Sequence, residues 1–103
     1  GVSPKDFVTN EWAVGMHDQA LMCLKNIQTI LETAGATLED LISIEVYIND
    51  VRWYKEFNDV WNEFFADVKC PPTRSTFQLG LLAPNMHIEM RAYAVKNTKY
   101  VEE

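Results

Sequence analysis

Leu41 to Ile48 constrains the fold more than any other segment of this chain. Ile42, Ile44, Val46 and Ile48 fall on one side, and Ser43, Glu45 and Tyr47 on the other. Successive side chains of a strand point to opposite faces, so this alternation specifies a strand with one buried face. A strand cannot bury that face alone. The rest of the chain must supply a sheet around it and a layer over it.

Helical periodicity on either side supplies the layer. Ala20, Leu24, Ile27, Leu31 and Ala34 recur at steps of three and four, with Asp18 as N-cap and Gly35 as the stop. After the strand, Asn49-Asp50 breaks the alternation, and Asp50 or a neighbour caps a second helix predicted to run to about residue 68. Its stripe of Tyr54, Phe57, Trp61, Phe64, Phe65 and Val68 reads as core packing. Cys70-Pro71-Pro72 cannot continue a helix. Residues 73–79 predict a short strand, with Thr73, Ser75, Phe77 and Leu79 on one side and Arg74, Thr76 and Gln78 on the other. Gly80 to Asn85 is a connection. The last strand spans 86–95, with Met86, Ile88, Met90, Ala92 and Ala94 toward the core and His87, Glu89, Arg91 and Tyr93 away.

The order α-β-α-β-β is α+β: a small mixed sheet with two helices packed on one face. The uncovered face is expected to carry Tyr47, Arg74, Thr76, Gln78, Glu89 and Arg91. Such a face is either a solvated surface or the lining of a cleft against a second subunit.

Length and composition exclude several classes. A chain of 103 residues, 48% hydrophobic and 23% charged, reads as one globular domain over 1–103. No apolar run reaches the length of a membrane span, and Gly1 to Asp6 holds no secretory core, so no membrane partner is expected. Nine basic residues against fifteen acidic, only three of them Arg, count against a nucleic-acid partner. Cys23 and Cys70 form no close motif and read as free thiols of a reducing compartment, the cytoplasm or the mitochondrion. Two cysteines and two scattered histidines are too few for a zinc site, and no metal or cofactor is expected.

The chemistry concentrates in Pro71-Pro72-Thr73-Arg74-Ser75-Thr76 and Ile88-Glu89-Met90. An Arg just after a rigid Pro-Pro turn offers a guanidinium fork that fits a carboxylate, and Ser75 and Thr76 add hydroxyl and backbone donors. If the last two strands pair antiparallel, Glu89 approaches Arg74. That approach reads either as a catalytic pair or as an ordinary cross-strand ion pair.

Pro-Pro-x-Arg-Ser-Thr followed by Ile-Glu-Met-Arg-Ala-Tyr-Ala resembles the signature region of the RidA/YjgF family of reactive-intermediate (enamine/imine) deaminases, some of which carry the label endoribonuclease L-PSP or translation inhibitor. Residues 20–27, 34–41, 46–50 and 57–65 are similar to further stretches of that family, in order, so the likeness covers about 18–95. The resemblance implies a chorismate-mutase-like α+β fold, a homotrimer with clefts between subunits, and hydrolysis of 2-aminoacrylate and 2-iminopropanoate-type intermediates to 2-keto acids and ammonia without a cofactor. By position, Arg74 holds the substrate carboxylate and Glu89 positions the attacking water. Asn58 and Thr76 line the site, Thr76 standing where Cys is common and Arg91 at a second acidic position. The family's N-terminal β-hairpin precedes the stretch that matches Gly1, and the chain is expected to lack it. Two other readings stay open: a non-catalytic small-carboxylate-binding or interaction protein on the same scaffold, and a ribonuclease.

Overall fold

The computed structural model of the chain describes residues 1–80 and 82–96. Leu81 of the predicted connection and residues 97–103 of the predicted domain lie outside them.

The elements follow the expected order. Helix α1 is Met16–Thr33, strand β1 Leu41–Ile48, helix α2 Tyr54–Phe64, strand β2 Thr73–Gln78 and strand β3 Ile88–Ala94, with 3-10 turns at Leu38–Asp40 and Val51–Trp53. The sheet is mixed, in the order β2-β1-β3. β1 runs parallel to β2 and antiparallel to β3. Val2 pairs with Met90 on the far edge of β3, its N–H donating to the Met90 carbonyl at 2.6 Å. None of the helices formed by the described residues is long and apolar enough to cross a membrane.

Both helices pack on one face, as the α+β pattern requires. Ala20, Cys23, Leu24 and Ile27 of α1 and Phe57, Val60 and Trp61 of α2 close over Ile44, Val46 and Ile48 of β1 and Ile88 and Met90 of β3. Phe57 is fully buried, and burial of such a ring contributes roughly 1.5–3 kcal/mol. α1 begins two residues before Asp18, with Gly15 at the N-cap at φ 85°, a conformation that glycine adopts freely. Gly35, at φ 80°, sits just past its end, as the sequence predicts. The Asp50 carboxylate accepts the Arg52 N–H at 2.9 Å and caps the 3-10 turn that leads into α2.

Four expectations are corrected. Ile42 does not face the core. The β1–β3 register shifts between Leu41 and Ser43, and this bulge turns Leu41 inward (0% exposed) and Ile42 outward (42%). α2 stops at Phe64 rather than near 68, and the chain passes through a turn at 65–67 before it reaches Pro71-Pro72. The Glu39 carboxylate fixes that departure by accepting the N–H groups of Lys69 and Cys70 at 3.1 and 3.3 Å. Ala94 is exposed, because β3 runs out beyond the helices.

The fourth correction is the parity of β2. Parallel register sets Arg74 beside Ile44, Thr76 beside Val46 and Gln78 beside Ile48. Registered neighbours share a face, so Arg74, Thr76 and Gln78 belong to the helix-covered face, not the open one. Thr73, Ser75 and Phe77 lie on the open face beside Ser43, Glu45 and Tyr47.

Two buried polar side chains position the loops around α1. Gln19, Cys23 and Asn26 follow at steps of four and three and so share its inner face. Gln19 donates to the carbonyls of Ala13 and Asn85 and accepts the His87 N–H at 2.7 Å. Asn26 donates to the carbonyls of Ser3 and Lys5. Each is nearly inaccessible and has protein partners, as buried amides must.

Candidate functional site

β2 is an edge strand beyond the centre of the core. Where β1 carries Ile44, β2 carries Arg74, and its side chain lies over α2. The guanidinium carbon is 5.0 Å from the Trp61 ring centre, 5.2 Å from Phe57 and 5.6 Å from Tyr54. Those distances allow cation–π attraction from three rings. Nη1 donates to Asn58 Oδ1 and Nη2 to the Tyr54 hydroxyl, each at 2.8 Å. Tyr54, Asn58 and Trp61 follow at steps of four and three on α2, which brings all three to the side that meets β2.

These partners hold the guanidinium in place without neutralising it. The ion pairs formed among the described residues are His17–Asp18, Arg52–Asp50 and Lys55–Asp59, so none of the described carboxylates pairs with Arg74, which lies half-buried on its aromatic bed. An Arg fixed by neutral acceptors retains N–H donors for a carboxylate. Half-buried Thr76 lies two residues further along the same face.

Glu89 does not join this cluster within one chain. β1 stands between β2 and β3, so the antiparallel pairing that would bring Glu89 to Arg74 does not form. The register sets Glu89 beside Tyr47 on the open face, opposite the face of Arg74. Two strand spacings and three residues of offset separate their Cα atoms by roughly 14 Å, on opposite sides of the sheet. The Glu89 side chain lies against Gly1, where an added Cβ would come within 2.9 Å of the carboxylate. Ser75 also points to the open face, so its hydroxyl does not join Arg74. The ion-pair alternative fails for the same reason; the charged residue opposite Arg91 is Glu45.

The open face has its own network. Glu45 accepts from the hydroxyls of Tyr47 and, at 3.4 Å, Tyr93. The bond to Glu45 pushes the Tyr47 phenol above its ordinary range, and Tyr93, then Tyr47 and Glu45, hold the Arg91 guanidinium firmly charged. Tyr47 stacks on Phe77 with ring centres 5.7 Å apart. Ile42, Phe77 and Tyr93 are each more than 40% exposed.

The remaining chemistry-bearing residues stand apart. His17 is exposed beside Asp18, whereas the His87 ring nitrogen lies 3.2 Å from the Asn49 amide and its ring lies against Trp53. Burial, and then the charge of Glu89, push the Cys23 thiol far above the usual range, so it stays protonated. The described residues include no group of three or more His, Cys, Asp or Glu that could hold a metal ion. On the apolar stripe of the second helix Tyr54 reads as core; its four-residue step to Asn58 is the sign that it belongs with Arg74.

The family model for endoribonuclease L-PSP matches residues 1–96. TdcF of Escherichia coli K12, described as a reactive intermediate deaminase, is 32% identical over 90 residues, which cover 86% of this chain and 70% of TdcF. A RutC family protein of Aquifex aeolicus is 32% identical over 96 residues, 93% of this chain and 74% of that protein. Among solved structures, E. coli TdcF with bound serine superposes with a TM-score of 0.88 at 32% identity, covering 94% of this chain and 77% of TdcF. The E. coli YjgF gene product superposes at 0.87 and 28% identity, covering 92% and 76%. A match across nearly the whole chain, with the same α+β fold, is decisive: this chain belongs to the endoribonuclease L-PSP family, together with the RidA/YjgF and RutC proteins.

Proposed function

We propose that this chain is a reactive-intermediate deaminase that hydrolyses 2-imino acids, formed from 2-aminoacrylate-type enamines, to 2-keto acids and ammonia. The observation that carries the reading is Arg74: a guanidinium with no acidic partner among the described residues, held by Asn58 and Tyr54 over aromatic rings, suits a small carboxylate. The relationship to TdcF supports the reaction class.

The chemistry asks little beyond orientation and proton transfer. An imine carbon next to a carboxylate is already electrophilic. Arg74 binds the carboxylate and fixes that carbon in place. Glu89 takes a proton from water as its oxygen adds to the carbon. The proton passes to nitrogen and gives a 2-amino-2-hydroxy acid; Glu89 then moves the new hydroxyl's proton to that nitrogen, the C–N bond breaks with its electron pair on nitrogen, and the carbonyl forms as ammonia departs. One imino acid and one water give one keto acid and one ammonia.

Because Arg74 and Glu89 lie on opposite faces, the reading requires two chains. In the proposed homotrimer, the Arg74 edge of one copy meets the open face of the next, and each cleft takes its clamp from one chain and its carboxylate from the other. The exposed Ile42, Phe77 and Tyr93 on that face suit such burial. The placement of Arg74 and Glu89 also favours a second reading, a carboxylate binder without turnover.

One assay separates them. Threonine dehydratase releases 2-aminocrotonate, which tautomerises to 2-iminobutanoate. Adding this protein should speed 2-ketobutyrate release above the buffer rate. Carboxylate binding without that acceleration would establish the binder.

A further inference from the structure

We infer that the Tyr54 hydroxyl selects the substrate: it donates to the acceptor atom at C2 of the bound acid and thereby favours 2-oxo and 2-imino acids over plain carboxylates. This rests on the reading of Arg74 as the carboxylate clamp.

The argument starts from the hydrogen bonds of one phenol. Tyr54 Oη accepts from Arg74 Nη2 at 2.8 Å. A phenol both accepts and donates, and the described residues offer no acceptor for its own hydrogen. Tyr54 is 40% exposed, so a ligand on Arg74 can reach its hydroxyl. A hydroxyl that accepts from a cation is polarised and donates more strongly.

The ligand chemistry follows from this adjacency. The fork engages one lone pair on each carboxylate oxygen. In a 2-oxo or 2-imino acid, the next acceptor is the oxygen or nitrogen on C2, in the carboxylate plane and beside the oxygen on Nη2. Tyr54 stands on that side. A plain carboxylate has only C–H groups there and leaves the phenol to water.

Tyr54→Phe removes the hydroxyl and keeps the ring that lies over Arg74. Calorimetric titration of the full chain with 2-oxobutanoate and with butanoate reads the effect, with the melting temperature of each variant recorded. The wild type should prefer 2-oxobutanoate. Tyr54→Phe loosens the clamp for both ligands, but it should weaken 2-oxobutanoate about tenfold more than butanoate, the scale of one lost hydrogen bond. Equal weakening of both ligands would show that Tyr54 merely holds Arg74 and would overturn the inference, as would tighter binding of both or no wild-type preference. Arg74→Lys is the control for the underlying reading. It should weaken both ligands; if it weakens neither, the clamp itself is wrong, whatever Tyr54 does.

Discussion

On the helix-covered face, Arg74 lies over three rings of α2 and is held by neutral groups; on the open face, Glu89 stands beside Tyr47, next to a network of Glu45, Tyr93 and Arg91. The first setting is complete within one chain. Every group that positions Arg74 comes from α2. The second is incomplete, since aromatic and charged groups there remain exposed, and the described residues put no second layer over them. A cation placed in advance and a carboxylate left open are what a shared site needs before assembly. The fold enforces the separation by inserting β1 between the two strands that carry them.

The largest expected effect tests whether the two faces have different tasks. Glu89→Gln keeps the shape and removes the base, so turnover of 2-iminobutanoate should fall by about 10²–10⁴-fold. Carboxylate binding at Arg74 should persist. Equal loss of binding and turnover would place both residues in one task and break the comparison.

A second test concerns packing. Phe57 is inaccessible and lies under Arg74, whereas Phe77 is 48% exposed on the open face. Phe57→Ala should cost about 3–5 kcal/mol in urea unfolding. Phe77→Ala should change the stability of a single chain by less than about 1 kcal/mol and lower the mass of the assembly seen by light scattering. Equal costs for both would mean that the open face is not open.

The smallest effect lies in the turn ahead of α2. The Arg52 guanidinium, with the Arg52 N–H, holds the Asp50 carboxyl down to about 2, below its ordinary value. A depressed carboxyl stabilises the fold above its unfolded pKa, and that contribution fades as pH falls from about 4 to about 2. Asp50→Asn keeps the cap and should lose this part of the acid dependence in urea titrations. An unchanged slope across that window would remove Asp50 from the account.

Much of the fold is legible in the sequence. Ile44, Val46 and Ile48 face the core as their alternation requires, and Gly35 sits just past the end of α1. The face of Arg74 is not legible, because β2 inverts the usual signal. Its apolar Phe77 points to the open sheet and its charged Arg74 points under the helices. Period-two reasoning assumes that the buried side is apolar, and a guanidinium stacked on three rings violates the assumption. Strand order is equally hidden: nothing local in residues 73–95 says that β1 lies between β2 and β3. The candidate site residues Arg74, Asn58 and Thr76 are visible through family motifs. Tyr54 is not, since an aromatic on an apolar stripe reads as core.

The central claim is that clamp and carboxylate come from different chains, and mixing two damaged variants tests it most directly. Arg74→Lys and Glu89→Gln chains, co-expressed, should each be nearly inactive as pure oligomers. Random mixing in a cyclic oligomer brings an intact Arg74 from one chain to an intact Glu89 from its neighbour in about a quarter of the clefts. The account predicts recovery of about that fraction of wild-type turnover. Mixed oligomers of the right mass with no recovered activity would contradict it and return the reaction to groups within one chain.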